Sequence, residues 1–117
     1  MSSFTEKFAL YGADVEGVMD RFMEDEELLI SCLDQFVEED ELQKLKECLD
    51  KKDYDEAFEV AHALKGVTGN LGLIPLYTAT CELVESLRAH VYTHVEEQFE
   101  NVRRKREEFV NAYEQMK

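Results

Sequence analysis

Proline occurs once and glycine five times in this chain of 117 residues. So few breaks leave little room for a succession of tight turns between short strands, and long helices are favoured. Cysteine is scarce as well. Cys32, Cys48 and Cys81 are odd in number and share no CxxC spacing, which speaks against a disulfide framework or a zinc knuckle and for reduced thiols. Positive charge is short: 13 basic residues stand against 27 acidic ones, a net charge of −14. That balance argues against nucleic acid or an anionic membrane as the main partner. No apolar run approaches the roughly 18 residues of a membrane span. The start, Met1-Ser2-Ser3-Phe4-Thr5-Glu6-Lys7, has neither the basic opening nor the apolar stretch of a signal peptide, so a cytoplasmic protein is expected. A GxxxxGK[ST] nucleotide loop is missing too, and with it a means of using ATP directly.

What is present is helical periodicity. Hydrophobic content of 44% beside 34% charged residues suits one folded domain over 1–117 with a continuous core. A short helix is expected over Ser3 to Tyr11, broken by Gly12, and a second from an Asp14 cap to Phe22. Asp25 is placed to cap a helix carrying Leu29, Leu33, Phe36 and Val37, which continues or restarts near Asp40 through Leu42, Leu45 and Leu49. Asp53 opens the next, which stops near Gly69 to Gly72 because glycine and asparagine favour a left-handed stop. Pro75 suits a first helical turn, and Leu76, Leu83, Val84 and Leu87 line the helix behind it. After a turn near His90 to Thr93, Val95, Phe99, Val102, Phe109 and Tyr113 mark a last helix. The expected fold is all-α: an antiparallel four-helix bundle with two short additional N-terminal helices folded over one end.

The helix after Asp53 carries the functional signal. At about 100° per residue, Ala57, Val60, Ala61, Leu64, Val67 and Leu71 share an apolar face, and His62 points away from it. Around His62 on the polar side stand Asp55, Phe58, Glu59, Lys65, Gly66 and Gly69. Glycine inside a helix costs about 1 kcal/mol against alanine, so two on one stripe imply close approach by another group. An imidazole, with an ordinary pKa of about 6.5, is a good nucleophile near neutrality. Lys65, one turn on, is placed to offset negative charge arriving there.

The run Ala61-His62-x-Leu64-Lys65-Gly66-x-x-x-Asn70-Leu71-Gly72 resembles the signature of histidine-containing phosphotransfer (HPt) domains of multistep two-component phosphorelays. The resemblance extends to Gly12-x-Asp14, Arg21-Phe22, Asp25-Glu26-Glu27-Leu28 and Leu33-x-x-Phe36 upstream, and to Leu76 and Glu82-x-x-Glu85 downstream. Leu29 stands where many members have tyrosine, and Gly69 where the family often has a small residue. The resemblance implies that His62 accepts the phosphoryl group, Lys65 neutralises it and Gly66 keeps it accessible. It further implies receiver domains of response regulators and a hybrid sensor histidine kinase as partners. No cofactor is implied for the chain itself, since Mg²⁺ belongs to the receiver. The protein is then a stoichiometric carrier, not an enzyme, and a monomer suffices.

Other residues have competing readings. Phe58, one turn before His62, either joins a receiver-docking surface with Gly66 and Gly69 or tucks against a neighbouring helix. His90 and His94 have a spacing that holds a metal on a continuous helix. They straddle an expected turn, so no metal site is assigned. Arg103, Arg104, Lys105 and Arg106 interleave with Glu100, Glu107 and Glu108, a pattern of helical ion pairs rather than a nucleic-acid patch. Arg106 falls at a core-like interval, with its stem expected to be covered and its head in water. Against the carrier stand two alternatives: a helical adaptor that docks receiver or kinase domains without phosphotransfer, and a metal-binding bundle.

Overall fold

Carboxylates start most of the helices. The computed structural model describes residues 2–117 and contains α1 (Ser3–Tyr11), α2 (Val15–Arg21), α3 (Glu26–Glu38), α4 (Glu41–Asp50), α5 (Tyr54–Asn70), α6 (Ile74–Arg88) and α7 (Val95–Glu114). Asp14, Asp25, Asp40 and Asp53 each accept a hydrogen bond from a first-turn amide: those of Gly17, Leu28, Leu42 and Glu56. Each satisfies a donor that the helix itself leaves unpaired. Ser2 does the same for Thr5 at the head of α1. Pro75 sits in the first turn of α6, where its missing N–H costs nothing.

The bundle is built on the antiparallel pair α5 and α6, with α4 beside α5 and α7 beside α6, and α4 closing back onto α7. The helix opened by Asp25 does restart: Glu39 and Asp40 leave the helical region, and Asp40 caps α4. Both pieces run along α7. Phe36 of α3 meets Phe109 edge-on at 6.0 Å, and the Tyr113 hydroxyl donates to the Ile30 carbonyl at 3.2 Å. Leu33, Leu45, Leu76, Leu83, Val84, Val102 and Phe109 are fully buried at the centre. Burial of such side chains contributes about 1.5–3 kcal/mol each.

The two short helices cover the end where α5 turns into α6. Gly72 has φ 72° and ends α5 in the left-handed conformation, while Leu71 before it stays right-handed. The stop therefore belongs to Gly72 alone, and Gly69 and Asn70 remain inside the helix. The Gly72 carbonyl accepts from the Asp14 amide at 3.0 Å, and Val18 packs against Gly72 so closely that a Cβ there would lie 3.2 Å away. Gly12, at φ 112°, ends α1 against Pro75.

Two expectations need correction. Val67 is 41% exposed and leaves the apolar face of α5, while Thr68 is buried there instead. The reason is length: α4 begins beside Val60 and Ala63, so no helix covers Val67 a turn further on. Thr68 enters the core because its hydroxyl donates to the Leu64 and Lys65 carbonyls at 2.9 and 3.2 Å. The Arg106 head lies at the surface, as expected, yet it is not simply solvated. Its Nη2 donates to the Glu39 and Val37 carbonyls at 2.8 and 3.3 Å, and its guanidinium lies 5.8 Å from the Phe36 ring centre. It closes the C-terminal end of α3, where unpaired carbonyls and the helix dipole favour a cation. Arg106→Ala should therefore cost about 1–2 kcal/mol in chemical denaturation, well above the few tenths expected for a solvated surface arginine.

Candidate functional site

α5 presents its polar side in the order Phe58, His62, Lys65, Gly66, Gly69. Ala57, Ala61, Leu64 and Thr68 anchor the opposite side in the core, which fixes the rotation of the helix and leaves His62 exposed. Lys65 is half-buried, and among the described residues it forms no ion pair. His62, Lys65, Gly66, Gly69, Asn70, Arg21 and Tyr77 line a shallow depression of about 450 Å³. Its two cations come from different helices in a chain whose net charge is −14. Lys65 brings a mobile point charge, and Arg21 a fixed planar one.

Arg21 is the site residue that periodicity did not single out. It ends α2, and its Nε and Nη2 donate to the Asn70 and Gly69 carbonyls at 3.1 Å each. Both carbonyls lie at the C-terminal end of α5, where that of Gly69 also accepts from the Gly72 amide at 3.1 Å, and the arginine's bonds are charge-assisted and complement the helix dipole. The only signal in the sequence is its place in the matched pattern, because nothing local shows that α2 will fold back against α5.

The two glycines of the stripe differ. A Cβ on Gly66 would meet nothing within 4 Å, so the space over it is open to solvent. A Cβ on Gly69 would lie 2.9 Å from Tyr77 Cε1. What approaches Gly69 closely is therefore a side chain of α6, although the residue still lines the depression.

Phe58 packs against the core and also touches the candidate histidine. Its ring and the imidazole are stacked 5.4 Å apart at 8°, and Arg88 Cζ lies 5.2 Å from the Phe58 centroid. Phe58 is half-buried against its neighbours, as the tucked reading expects, and one turn from His62 part of its ring reaches the polar surface.

The remaining candidates lie elsewhere. His90 has φ 59° in the α6–α7 turn with Nδ1 2.9 Å from the Tyr92 hydroxyl, and His94 stands at the N-cap of α7, so the two do not share a helix face. Arg103 pairs with Glu100 and Glu107 at 2.9 and 3.3 Å, and Lys105 with Glu108 at 3.3 Å. Cys48 is buried, and burial pushes its thiol above the ordinary range; Cys32 and Cys81 are half-buried.

The glycine contrast is measurable. Gly66→Ala should stabilise the protein by up to about 1 kcal/mol, because alanine favours the helix and nothing stands in its way. Gly69→Ala gains the same propensity but has to push the Tyr77 ring aside, so it should melt below Gly66→Ala. Thermal denaturation of both variants beside the parent decides the order.

The family model for the Hpt domain matches residues 27–117, from the first turn of α3 to the end of the chain. The segment holding α1, α2 and Arg21 precedes that match. Neither the curated proteins nor the solved structures yield a match. With the family match spanning five of the seven helices, including the whole of the one that carries His62, the chain belongs to the Hpt-domain family and to the histidine phosphotransfer of phosphorelays.

Proposed function

We propose that this protein accepts a phosphoryl group on His62 from the phosphoaspartate of one receiver domain and passes it to the aspartate of another. The observation that carries the reading is the pairing, in one depression, of an exposed imidazole with an ion-pair-free Lys65, beside a glycine with open space above it. A ring nitrogen of neutral His62 attacks phosphorus in line. The phosphorus–oxygen bond to the receiver's aspartate breaks, and the carboxylate leaves with the bonding pair. The ring's other N–H then faces solvent, and the return transfer reverses these steps. Protein groups in such a reaction mostly position the reactants and balance charge. Lys65 follows the negative charge of the phosphoryl group, and Gly66 lets the receiver's acidic pocket come close. The Mg²⁺ and acid cluster are the receiver's contribution.

In this reading the protein is a carrier without ATP-dependent kinase activity of its own, working as a monomer in the cytoplasm between a hybrid sensor kinase and a response regulator. Among the described residues no helix is long and apolar enough to cross a membrane. Phe58, Gly66 and Gly69 border the face that a receiver covers.

The acceptor is tested by His62→Gln. An exposed polar exchange costs less than about 0.5 kcal/mol, so melting should barely move while label transfer from a phosphorylated receiver is lost. Acid-labile, alkali-stable label on the Gln variant, carried by His90 or His94, overturns the assignment; a parent protein that binds receivers without taking label favours the adaptor instead.

Charge is tested separately. Lys65→Ala should fold normally and slow transfer roughly ten- to a hundredfold, the value of a contact of about 1–3 kcal/mol with transferring charge. Rapid-quench transfer at matched ionic strength reads the effect, and parental kinetics would remove Lys65 from the mechanism.

A further inference from the structure

We infer that Phe58 and Arg88 form a positioning pair that holds the His62 imidazole in the orientation from which it reacts. The inference rests on His62 being the phosphoacceptor and adds what presents it. Phe58 and His62 are four residues apart on α5, so their side chains meet on one face. Their rings are nearly parallel, 8° apart, at a centroid separation of 5.4 Å, the offset geometry that aromatic pairs prefer. The two partners are unequal. Phe58 is half-buried and packed on the core, whereas His62 is exposed. The fixed ring therefore orders the free one. An exposed histidine without such a neighbour spreads over several staggered rotamers.

Arg88 holds the other member of the stack. The antiparallel register of α5 and α6 brings the last turn of α6 beside Phe58, with Arg88 Cζ 5.2 Å from the ring centroid. Its Nε lies 3.5 Å from Glu85 Oε1, one turn back on the same helix. Neither Phe58 nor Arg88 lines the depression that holds Lys65 and Gly66. They act behind the imidazole, away from where phosphate arrives, which makes them positioning residues. Fixing the ring before the encounter removes an orientational search from the reaction.

A small phosphodonor separates positioning from docking, because phosphoramidate reaches His62 without a receiver surface. Phe58→Leu keeps an apolar side chain of somewhat smaller volume and removes the aromatic ring. The side-chain protons of His62 should lose the ring-current shift that stacking produces, and phosphorylation by phosphoramidate should slow roughly two- to tenfold, the range of one aromatic pair. Arg88→Gln, an exposed change, should lose part of the shift and part of the rate, and Arg88→Lys, which keeps a cation over the ring, should recover most of both. An unchanged phosphoramidate rate in Phe58→Leu overturns the inference, even where receiver-dependent transfer falls, since Phe58 is then a docking contact. If Phe58→Leu fails to fold, a parental shift and rate in Arg88→Gln overturn it. Failure of receivers to phosphorylate His62 would count against the carrier reading and leave these two measurements intact.

Discussion

The left-handed turn at Gly72 is the constraint on which the rest of the arrangement depends. It reverses the chain so that α6 returns along α5, and its carbonyl receives the Asp14 amide that seats the N-terminal helices. A Cβ there would press on the Asp14 carbonyl and on Val18, each 3.2 Å away, in a conformation that side chains already disfavour. The return of α6 then sets a register in which Tyr77 lies against Gly69 and Arg88 against Phe58. Both ends of the His62 face are thereby fixed by one turn. Arg21 reaches the Gly69 and Asn70 carbonyls only because Asp14 and Val18 hold α2 at that turn.

Charge follows the same division. Acidic residues gather at helix N-termini, where Asp14, Asp25, Asp40 and Asp53 bond amides that would otherwise be unpaired. Cations close C-terminal ends: Arg21 that of α5, Arg106 that of α3. Most other basic side chains pair with a neighbouring carboxylate, as Lys46 does with Asp50 and Lys117 with Asp34. The Lys117 and Tyr113 contacts hold the Asp34 carboxyl below the usual range, so their stabilising effect is lost as acid protonates it. Lys65 forms no ion pair among the described residues, as is true of Lys7, Lys51, Lys52 and Arg104, and it differs from those in lining the depression that holds His62. In the proposed reading, that position is where its charge meets an incoming phosphoryl group.

Much of this was legible in the sequence because its signals are local. Caps at Asp14, Asp25, Asp40 and Asp53, the break at Gly12 and the proline at the head of α6 are each decided within one turn of chain, and they appear where periodicity places them. The direction of His62 is local as well, since a helix face is set by spacing alone. What escaped depends on where helices end relative to one another. Val67 has the right spacing for the core, yet α4 begins too late to cover it. Arg106 has the right spacing for a half-covered stem, yet its head finds the end of α3, a helix 67–69 residues away in sequence. Arg21 has its place in the Arg21-Phe22 pair, yet no local spacing shows what it bonds until α2 is seen against α5.

The two glycines of the His62 stripe show why residue type alone does not mark a site. Both lie on the polar side of α5, and both looked like room made for an incoming group. Opposite Gly69 the register of α6 places an aromatic ring, and the missing side chain there lets two helices of one molecule approach. Opposite Gly66 there is nothing within 4 Å, so helix stability is given up at a position where no packing of this chain recovers it. Internal packing accounts for the first glycine and leaves the second without a structural purpose. Its neighbours are an exposed imidazole and a half-buried lysine. An empty approach beside an imidazole and a cation is what the proposed acceptor of a charged group needs, and internal packing gives no other reason for a glycine at that place.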